Sequence, residues 1–395
     1  MALASSAVTS EVVSKPSWNP LKFCGTELPT ELLIMVKSLA LVVLLTNHAR
    51  ILPDPWLPFV PGIDRIPPVL FQRTLQTVFV ISALALMFNR RVRLASLALG
   101  SVMLLAVISS KAYYGNNKTF CGLMFFLTGL HVPGRQPWFL RWQLGITYFG
   151  AGINKLLDGD WHTGVFFENW AVNRLHHSWY IALDSLLSPM ALARFICWTT
   201  IATELSVVPC IFVPGLYYWA ICANILFQSG LLLFTGTTFT LFFYSMSAAS
   251  LAFVTWPAGP LPVLYDATSG FAESARKVFQ LWDLERMFHW TPRQPDAAAR
   301  SWLDLQVGNK IYTGFGALRM IVLLNPVIYL VIAGLIAAVP DASSSSALYR
   351  RVVVASLLLL LMPPLAWILD KVFPGGDQEL AKIVPNSTGN RVTEA

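Results

Sequence analysis

Long apolar runs separated by short polar or basic turns make up most of this chain. A run of about 20 apolar residues is long enough to cross a bilayer as an α-helix. The runs that we predict as spans are residues 31–52, 69–88, 94–110, 119–131, 142–156, 191–208, 211–234, 238–256, 317–339 and 352–369. The pattern therefore predicts an all-α polytopic membrane bundle with about eight to ten transmembrane helices.

Polar stretches divide the chain into five segments. Residues 1–30 form a polar N-terminal tail, residues 31–256 the main transmembrane domain, and residues 257–316 a polar insert. Residues 317–371 are predicted to hold the C-terminal transmembrane helices, and residues 372–395 a disordered polar tail. One small unit outside the membrane is therefore expected between two membrane segments.

Basic residues at the span ends predict the orientation of the bundle. The turn NRRVR, residues 89–93, carries three arginines, and short cytoplasmic loops are enriched in such residues. This turn is therefore predicted to be cytoplasmic, and so is the N-terminus. Counting the spans that follow predicts that the 257–316 insert is cytoplasmic as well. Arg350 and Arg351 then fall on the outer side, against the same rule, so the number of spans could differ by about one or two.

Composition agrees with a membrane protein and argues against several other classes. The 395 residues are 55% hydrophobic and 12% charged, whereas a typical soluble domain is about 25% charged. The net charge of +7 arises from span ends and not from a basic stripe, so nucleic-acid binding is not predicted. The five cysteines show no CxxC spacing, so neither a zinc site nor a disulfide framework is predicted. Four of the five lie in apolar segments, which predicts buried, inert thiols at those four. His176 and His177 are adjacent and cannot face one site on a helix, so no metal site is predicted.

The densest polar chemistry lies in ITYFGAGINKLLDGDWHTGVFFENW, residues 146–170. An apolar helix ends there near Lys155, and Asp160, Trp161 and His162 follow in a loop. In one interpretation Lys155 reaches the interface and pairs with an acid, while Trp161 belongs to an aromatic belt. In the other, Lys155 is a desolvated amine that acts as a base or holds an anion, with Asp160 in support. The sequence leaves both interpretations open.

Polar residues inside other apolar runs add further candidates. A carboxylate such as Glu204 within an apolar run is costly and normally faces a partner or a wet cavity, so it could pair with Lys155 across the bundle. Asn224 and Gln228 are four residues apart on one helix face and can hydrogen-bond a neighbouring helix or a ligand. Asn154 adds one more polar group beside Lys155.

The segment YFGAGINKLLDGDWHTG resembles the vitamin K-dependent gamma-carboxylase-like, or HTTM, membrane domain, in which an AGxxKL segment precedes a DWxxG loop. The resemblance covers residues 31–256 and implies that Lys155 is catalytic, as the corresponding lysine of the carboxylase is. The two histidines of the carboxylase are not matched, because His131 is displaced from the first position and Gln228 stands at the second. Asn154 stands where the carboxylase has another lysine. The resemblance thus implies a quinone- or lipid-like ligand without glutamate carboxylation.

The insert shows a second resemblance. PVLYDATSGFAESARKVFQLWDLERMFHW and the later GNKIYTGFGALRMIVLLNPVIYLV resemble the opening and closing parts of the DCC family, which is thioredoxin-like. In that family two cysteines form a redox pair at a helix N-terminus, but here Ser269 and Ala272 occupy those positions. Without these cysteines no thiol–disulfide exchange can take place. The resemblance therefore implies an α/β domain that serves as a docking module. It also implies that the protein lies in a bacterial inner membrane. The residue type of Ser269 predicts that it caps the following helix.

Both resemblances lack residues that carry chemistry, and this determines the predicted function. We predict a multi-pass membrane protein that acts as a non-redox accessory or assembly subunit, with a lipid or quinone held in its bundle. Its predicted partners are membrane lipids and other membrane-protein subunits, which it contacts through the cytoplasmic insert. The alternative is a carboxylase- or epoxidase-like membrane enzyme in which Lys155 is the base, supported by Glu204 and Asp160.

Overall fold

The chain divides into two units in the computed structural model, which describes residues 18–45, 62, 65–110, 113–235, 240–257, 259–293 and 301–337. A helical unit comprises the described residues up to Trp256 and those from Tyr329 onward, and an α/β unit comprises Pro257–Ile328. The sequence predicts the end of this insert at residue 316, whereas the α/β unit extends to Ile328. The predicted span 352–369 and the predicted tail 372–395 lie outside the described residues.

Helices form nearly all of the helical unit. They are α1 (Thr30–Leu45), α2 (Pro68–Met87), α3 (Val92–Ser109), α4 (Asn116–Gly129), α5 (Trp138–Leu157), α6 (Gly159–Thr163), α7 (Val165–Glu168), α8 (Ser178–Asp184), α9 (Ala191–Phe212), α10 (Tyr217–Thr235) and α11 (Thr240–Ala249). A π-helix, Asn169–Arg174, lies between α7 and α8. A 3₁₀ turn, Ser250–Phe253, follows α11. Each predicted apolar run up to residue 339 thus contains a helix.

Three of the described helices, α2, α3 and α9, are long and apolar enough to cross a membrane. A fourth span is counted if α13 (Gly314–Leu323) and α14 (Pro326–Ala337), which are separated by a sharp bend, form one broken span. The described part of the chain is therefore mostly helical with three candidate spans, and the larger predicted number stays a prediction.

Two helix boundaries differ from the predicted ones because of proline. The predicted span 317–339 is interrupted, since α13 ends at Leu323 and α14 begins at Pro326. Proline has no N–H for the interior of a helix but fits its first turn. Similarly, α10 begins at Tyr217 rather than at residue 211, after a 3₁₀ turn that starts with Pro214.

Small residues bring α5 and α9 into close contact. The buried positions of α5 include Leu144, Tyr148 and Gly152, and their spacing of four places them on one face of the helix. A Cβ atom on Gly152 would lie only 2.7 Å from Leu205 Cδ2 of α9, so a larger residue would push the helices apart. Lys155, three residues after Gly152, continues this face toward α9.

The α/β unit is built on a four-stranded sheet. Its elements are β1 (Leu261–Tyr265), α12 (Gly270–Trp282), β2 (Phe288–Pro292), β3 (Leu303–Val307), β4 (Lys310–Thr313) and the helix α13. The strand order is β2-β1-β3-β4. β1 pairs with β2 in parallel, whereas β1–β3 and β3–β4 are antiparallel. The parallel pair requires a crossover connection, which α12 supplies.

The local signals of this unit agree with its structure. β1 alternates buried and exposed residues, with Leu261, Val263 and Tyr265 buried. Ser269 is the N-cap of α12, and its Oγ accepts a hydrogen bond from Ala272 N at 3.4 Å. The predicted cap is therefore confirmed. Gly308 has φ +58° in the turn between β3 and β4, a conformation that glycine adopts without strain.

Candidate functional site

A cavity of about 1030 Å³ lies within the helical unit, among α4, α5, the loop after it, α9, α10 and α11. Much of its wall is aromatic. The aromatic residues include Trp161, Phe166, Phe167, Trp170, Phe227 and Phe234. A few polar or charged groups also line it, notably Tyr148, Lys155, Arg174, Glu204 and Gln228. Apolar walls with few polar groups, at this size, are typical of small-molecule sites.

Lys155 and Glu204 form an ion pair in the cavity wall, as the sequence had suggested. Lys155 Nζ lies 2.8 Å from each carboxylate oxygen of Glu204. The Lys155 side chain is 20% exposed and that of Glu204 only 6%. The amine also lies 5.1 Å from the centre of the Trp161 ring. An ammonium group has no free electron pair, so Lys155 in its charged form must lose a proton before it can act as a base.

A hydrogen-bond network lies beside this ion pair and is centred on Tyr148. Its hydroxyl donates a short hydrogen bond to Asn224 Oδ1 and accepts one from Gln228 Nε2 at 3.0 Å. The Asn224 amide donates to Met246 O at 2.7 Å and to Ser250 Oγ at 2.6 Å. Asn224 is therefore used in helix packing, and it does not line the cavity.

Gln228 differs from Asn224 because one of its side-chain polar atoms has no hydrogen-bond partner. The Asn224 NH₂ group donates to a carbonyl, so the Asn224 Oδ1 atom must be the one that faces Tyr148. The Tyr148 hydroxyl donates to this oxygen and therefore accepts from the Gln228 NH₂ group. Gln228 Oε1 is buried without a hydrogen-bond partner in the described part of the chain. A buried acceptor of this kind, at a cavity wall, is a place where a ligand or a water can bind.

Several candidate residues lie away from the cavity. Asn154 and Asp160 are exposed and are not part of its wall. His162 is also outside the wall, where its ring nitrogen hydrogen-bonds Leu156 O at 2.6 Å and its ring stacks on Trp198. Asn154 is one residue from Lys155 and so points about 100° away from it around the helix. Of the loop residues that we proposed as ligand contacts, only Trp161 lines the cavity.

The sequence did not assign Trp170, Arg174 or the other aromatic residues of the wall, apart from Trp161, to a site. Trp170 and Arg174 both line the cavity and lie in the π-helix, a form that often occurs at functional sites. No sequence pattern indicates this π-helix. Tyr148, in contrast, could have been found, because it lies seven residues before Lys155 and so on the same helix face.

Hydrogen bonds hold the loop that carries the aromatic wall. The Tyr180 hydroxyl donates a short hydrogen bond to Glu168 Oε2, and burial, together with Glu168, raises the pKa of the Tyr180 phenol above its ordinary value. His177 Nε2 lies 2.5 Å from Phe234 O. Within the described residues no group of His, Cys, Asp and Glu is arranged to hold a metal ion.

The positions at which the DCC resemblance would place a redox pair hold no thiol. Ser269 caps α12 and Ala272 is fully buried. The five cysteines of the chain all lie before residue 257, and all are free. Searches of protein-family models, of curated proteins and of solved structures find no match for this chain.

Proposed function

We propose that this protein is a polytopic membrane protein that holds an amphipathic, lipid- or quinone-like molecule in its helical unit, as a non-redox accessory or assembly subunit of a membrane complex. The observation that carries the proposal is the aromatic cavity of about 1030 Å³. Its volume and apolar wall suit a hydrophobic ligand that enters from a bilayer.

The two family assignments are part of this proposal. An HTTM-type bundle is supported by the contact of α5 with α9, which joins Lys155 of the AGxxKL segment to Glu204. A thioredoxin-like α/β unit is supported by the β1–α12–β2 crossover followed by the antiparallel β3–β4 pair. With serine and alanine at its redox positions, this unit serves as a cytoplasmic contact surface for other subunits.

The ion pair favours binding over catalysis. A lysine that acts as a base needs a neutral amine, whereas Lys155 is bonded to both oxygens of Glu204. The rival enzyme function requires Lys155 to give up a proton during turnover, in spite of the carboxylate that stabilises its charged form. In the binding function the pair stays closed and forms one fixed, internally neutral part of the cavity wall.

The test uses two glycines that both have open space for a side chain. Gly230 lines the cavity and Gly150 does not, and a Cβ on either meets no atom within 4 Å. We expect the protein extracted gently from its own membrane to retain a small hydrophobic molecule in native mass spectrometry. Gly230→Leu, which occupies cavity space, loses this molecule, whereas Gly150→Leu keeps it.

Two results would contradict the proposal. Equal retention of the molecule by Gly230→Leu and the wild type would mean that the cavity is not the binding site. A protein that always purifies alone, without a stoichiometric partner, would count against the role as a subunit.

A further inference from the structure

The charges in the cavity wall do not cancel. Besides the phenol of Tyr148, the titratable wall residues are Lys155, Glu204 and Arg174. Lys155 and Glu204 neutralise each other at 2.8 Å. The Arg174 side chain forms no hydrogen bond or ion pair with any described residue. The wall therefore carries one uncompensated positive charge, which belongs to a guanidinium group.

The cavity wall that includes Arg174 also includes aromatic rings. Arg174 ends the π-helix and follows four residues after Trp170, which also lines the cavity. Trp161 and Phe166 stack with their ring centres 4.4 Å apart in the same wall. Arg174 is exposed, so its charge stays hydrated while the rings offer an apolar surface. A molecule that fits both features has a charged end and an apolar end.

We infer that the molecule held in this cavity is an amphiphile with an anionic head group, a carboxylate or a phosphate, which pairs with Arg174 while its apolar tail lies among the aromatic rings. This inference rests on the proposed function, because it names the ligand class of the same cavity. A guanidinium matches both anions, since its planar N–H donors bind two oxygens at once. A neutral quinone offers no anionic group to this guanidinium and so gains nothing from its charge.

Matched probes separate head-group charge from tail chemistry. The full chain, stripped of lipid in a neutral detergent, is titrated with oleate or methyl oleate, and with dioleoylphosphatidylglycerol or dioleoylglycerol. Native mass spectrometry counts the bound probe. We expect the anionic probe of a pair to bind about tenfold more tightly than the neutral probe, the factor that one charge-assisted hydrogen bond supplies. If oleate shows the larger preference, the head group is a carboxylate, and if dioleoylphosphatidylglycerol does, it is a phosphate.

Variants at Arg174 test the contact itself. Arg174→Gln is expected to reduce anionic binding to the level of the neutral probes, and Arg174→Lys to keep part of the preference. The control is Arg135→Gln, since Arg135 is an exposed residue of the α4–α5 loop outside the cavity wall. The charge preference should also weaken as salt is raised.

The outcomes distinguish the inference from the proposed function. If anionic and neutral probes bind equally and Gly230→Leu blocks both, the cavity binds lipids but the assignment of an anionic ligand is wrong. If Arg174→Gln keeps the full preference for anionic probes, Arg174 is not the head-group contact and the inference fails. If no probe binds to the wild type, the proposed function fails with it.

Discussion

The ion pair between α5 and α9 in the helical unit differs in burial from the ion pair on α12 in the α/β unit. In the helical unit, Lys155 and Glu204 join two helices from positions 49 residues apart, and Glu204 is only 6% exposed. In the α/β unit, Arg276 pairs with Glu273 one turn away on the same helix, at 2.5 Å, and both side chains stay partly exposed. The first pair replaces water in the interior, whereas the second remains largely solvated.

This difference indicates which pair matters for the fold. An exposed pair on one helix gains little, because water screens it and side-chain entropy opposes it. A buried pair is costly to form, but once formed it cannot lose one partner without leaving a buried charge alone. The Lys155–Glu204 pair therefore ties α5 to α9 and shapes the cavity between them, while the Arg276–Glu273 pair supports only α12.

The largest effect on stability is expected when one partner of the buried ion pair is removed. Lys155→Met leaves the Glu204 carboxylate without its counter-ion, and we expect the free energy of unfolding of the helical unit to fall by about 3–5 kcal/mol. The double variant Lys155→Met/Glu204→Leu should recover much of this loss. Unfolding by a denaturing detergent, followed by far-ultraviolet circular dichroism, measures the change.

Two further variants serve as controls for this result. Lys155→Arg keeps the charge and should retain most of the stability, and a loss of an assayed activity in that folded variant would favour the enzyme alternative. Lys277→Met removes an exposed lysine, 3.7 Å from Glu273, and should leave the helical unit unchanged. A double variant as unstable as Lys155→Met alone would show that the two charges do not depend on each other.

An effect smaller than that of the buried ion pair, but larger than that of the exposed pair, is expected at the start of α12. There the helix end is stabilised by a hydrogen bond between uncharged groups. Ser269→Ala removes the cap that Ala272 N donates to, and we expect it to destabilise the helix by about 1 kcal/mol. Amide hydrogen exchange in the first turn of α12 should become faster. Ser274→Ala is the matched control, because Ser274 Oγ donates to Gly270 O within the same helix and caps no helix end. Equal exchange rates in the wild type and Ser269→Ala would contradict the capping role.

The smallest effect is expected at the exposed pair, and it depends on pH. The hydrogen bond and charge of Arg276 hold the pKa of Glu273 below its ordinary value of 4.5. A lowered pKa means that the folded state favours the carboxylate, so its stabilising effect is present above pH 4.5 and is lost as the pH falls through the lowered pKa. Glu273→Gln should therefore differ slightly from the wild type at neutral pH, and the difference should vanish in acid.

Thermal unfolding of the α/β unit at several pH values checks this last expectation. High salt should remove the same small difference at neutral pH, because ions screen exposed charges. A difference between Glu273→Gln and the wild type that persists in strong acid would mean that the Glu273 side chain acts through packing and not through charge.

Much of the architecture could be predicted from local pattern. The apolar runs predicted helices throughout the helical unit, and a charged residue inside such a run identified Glu204 as a candidate. The sequence around Ser269 predicted both a cap and a helix, because an N-cap depends on residues only three positions apart. Ser269 and Ala272, at the positions where the DCC resemblance would place a redox pair, likewise show without any structure that no thiol is present there.

Which of these residues contact one another could be seen only in the tertiary structure. Lys155 and Glu204 form one wall because Gly152 allows α5 to approach α9, whereas Asn154, its neighbour in sequence, points elsewhere. Asn224 proved to be a packing residue and Arg174 a cavity residue, although both are single polar residues in the sequence. Local structure depends on nearby residues, and so the sequence determined it. The cavity depends on contacts between helices that are far apart in the chain, which no local pattern encodes.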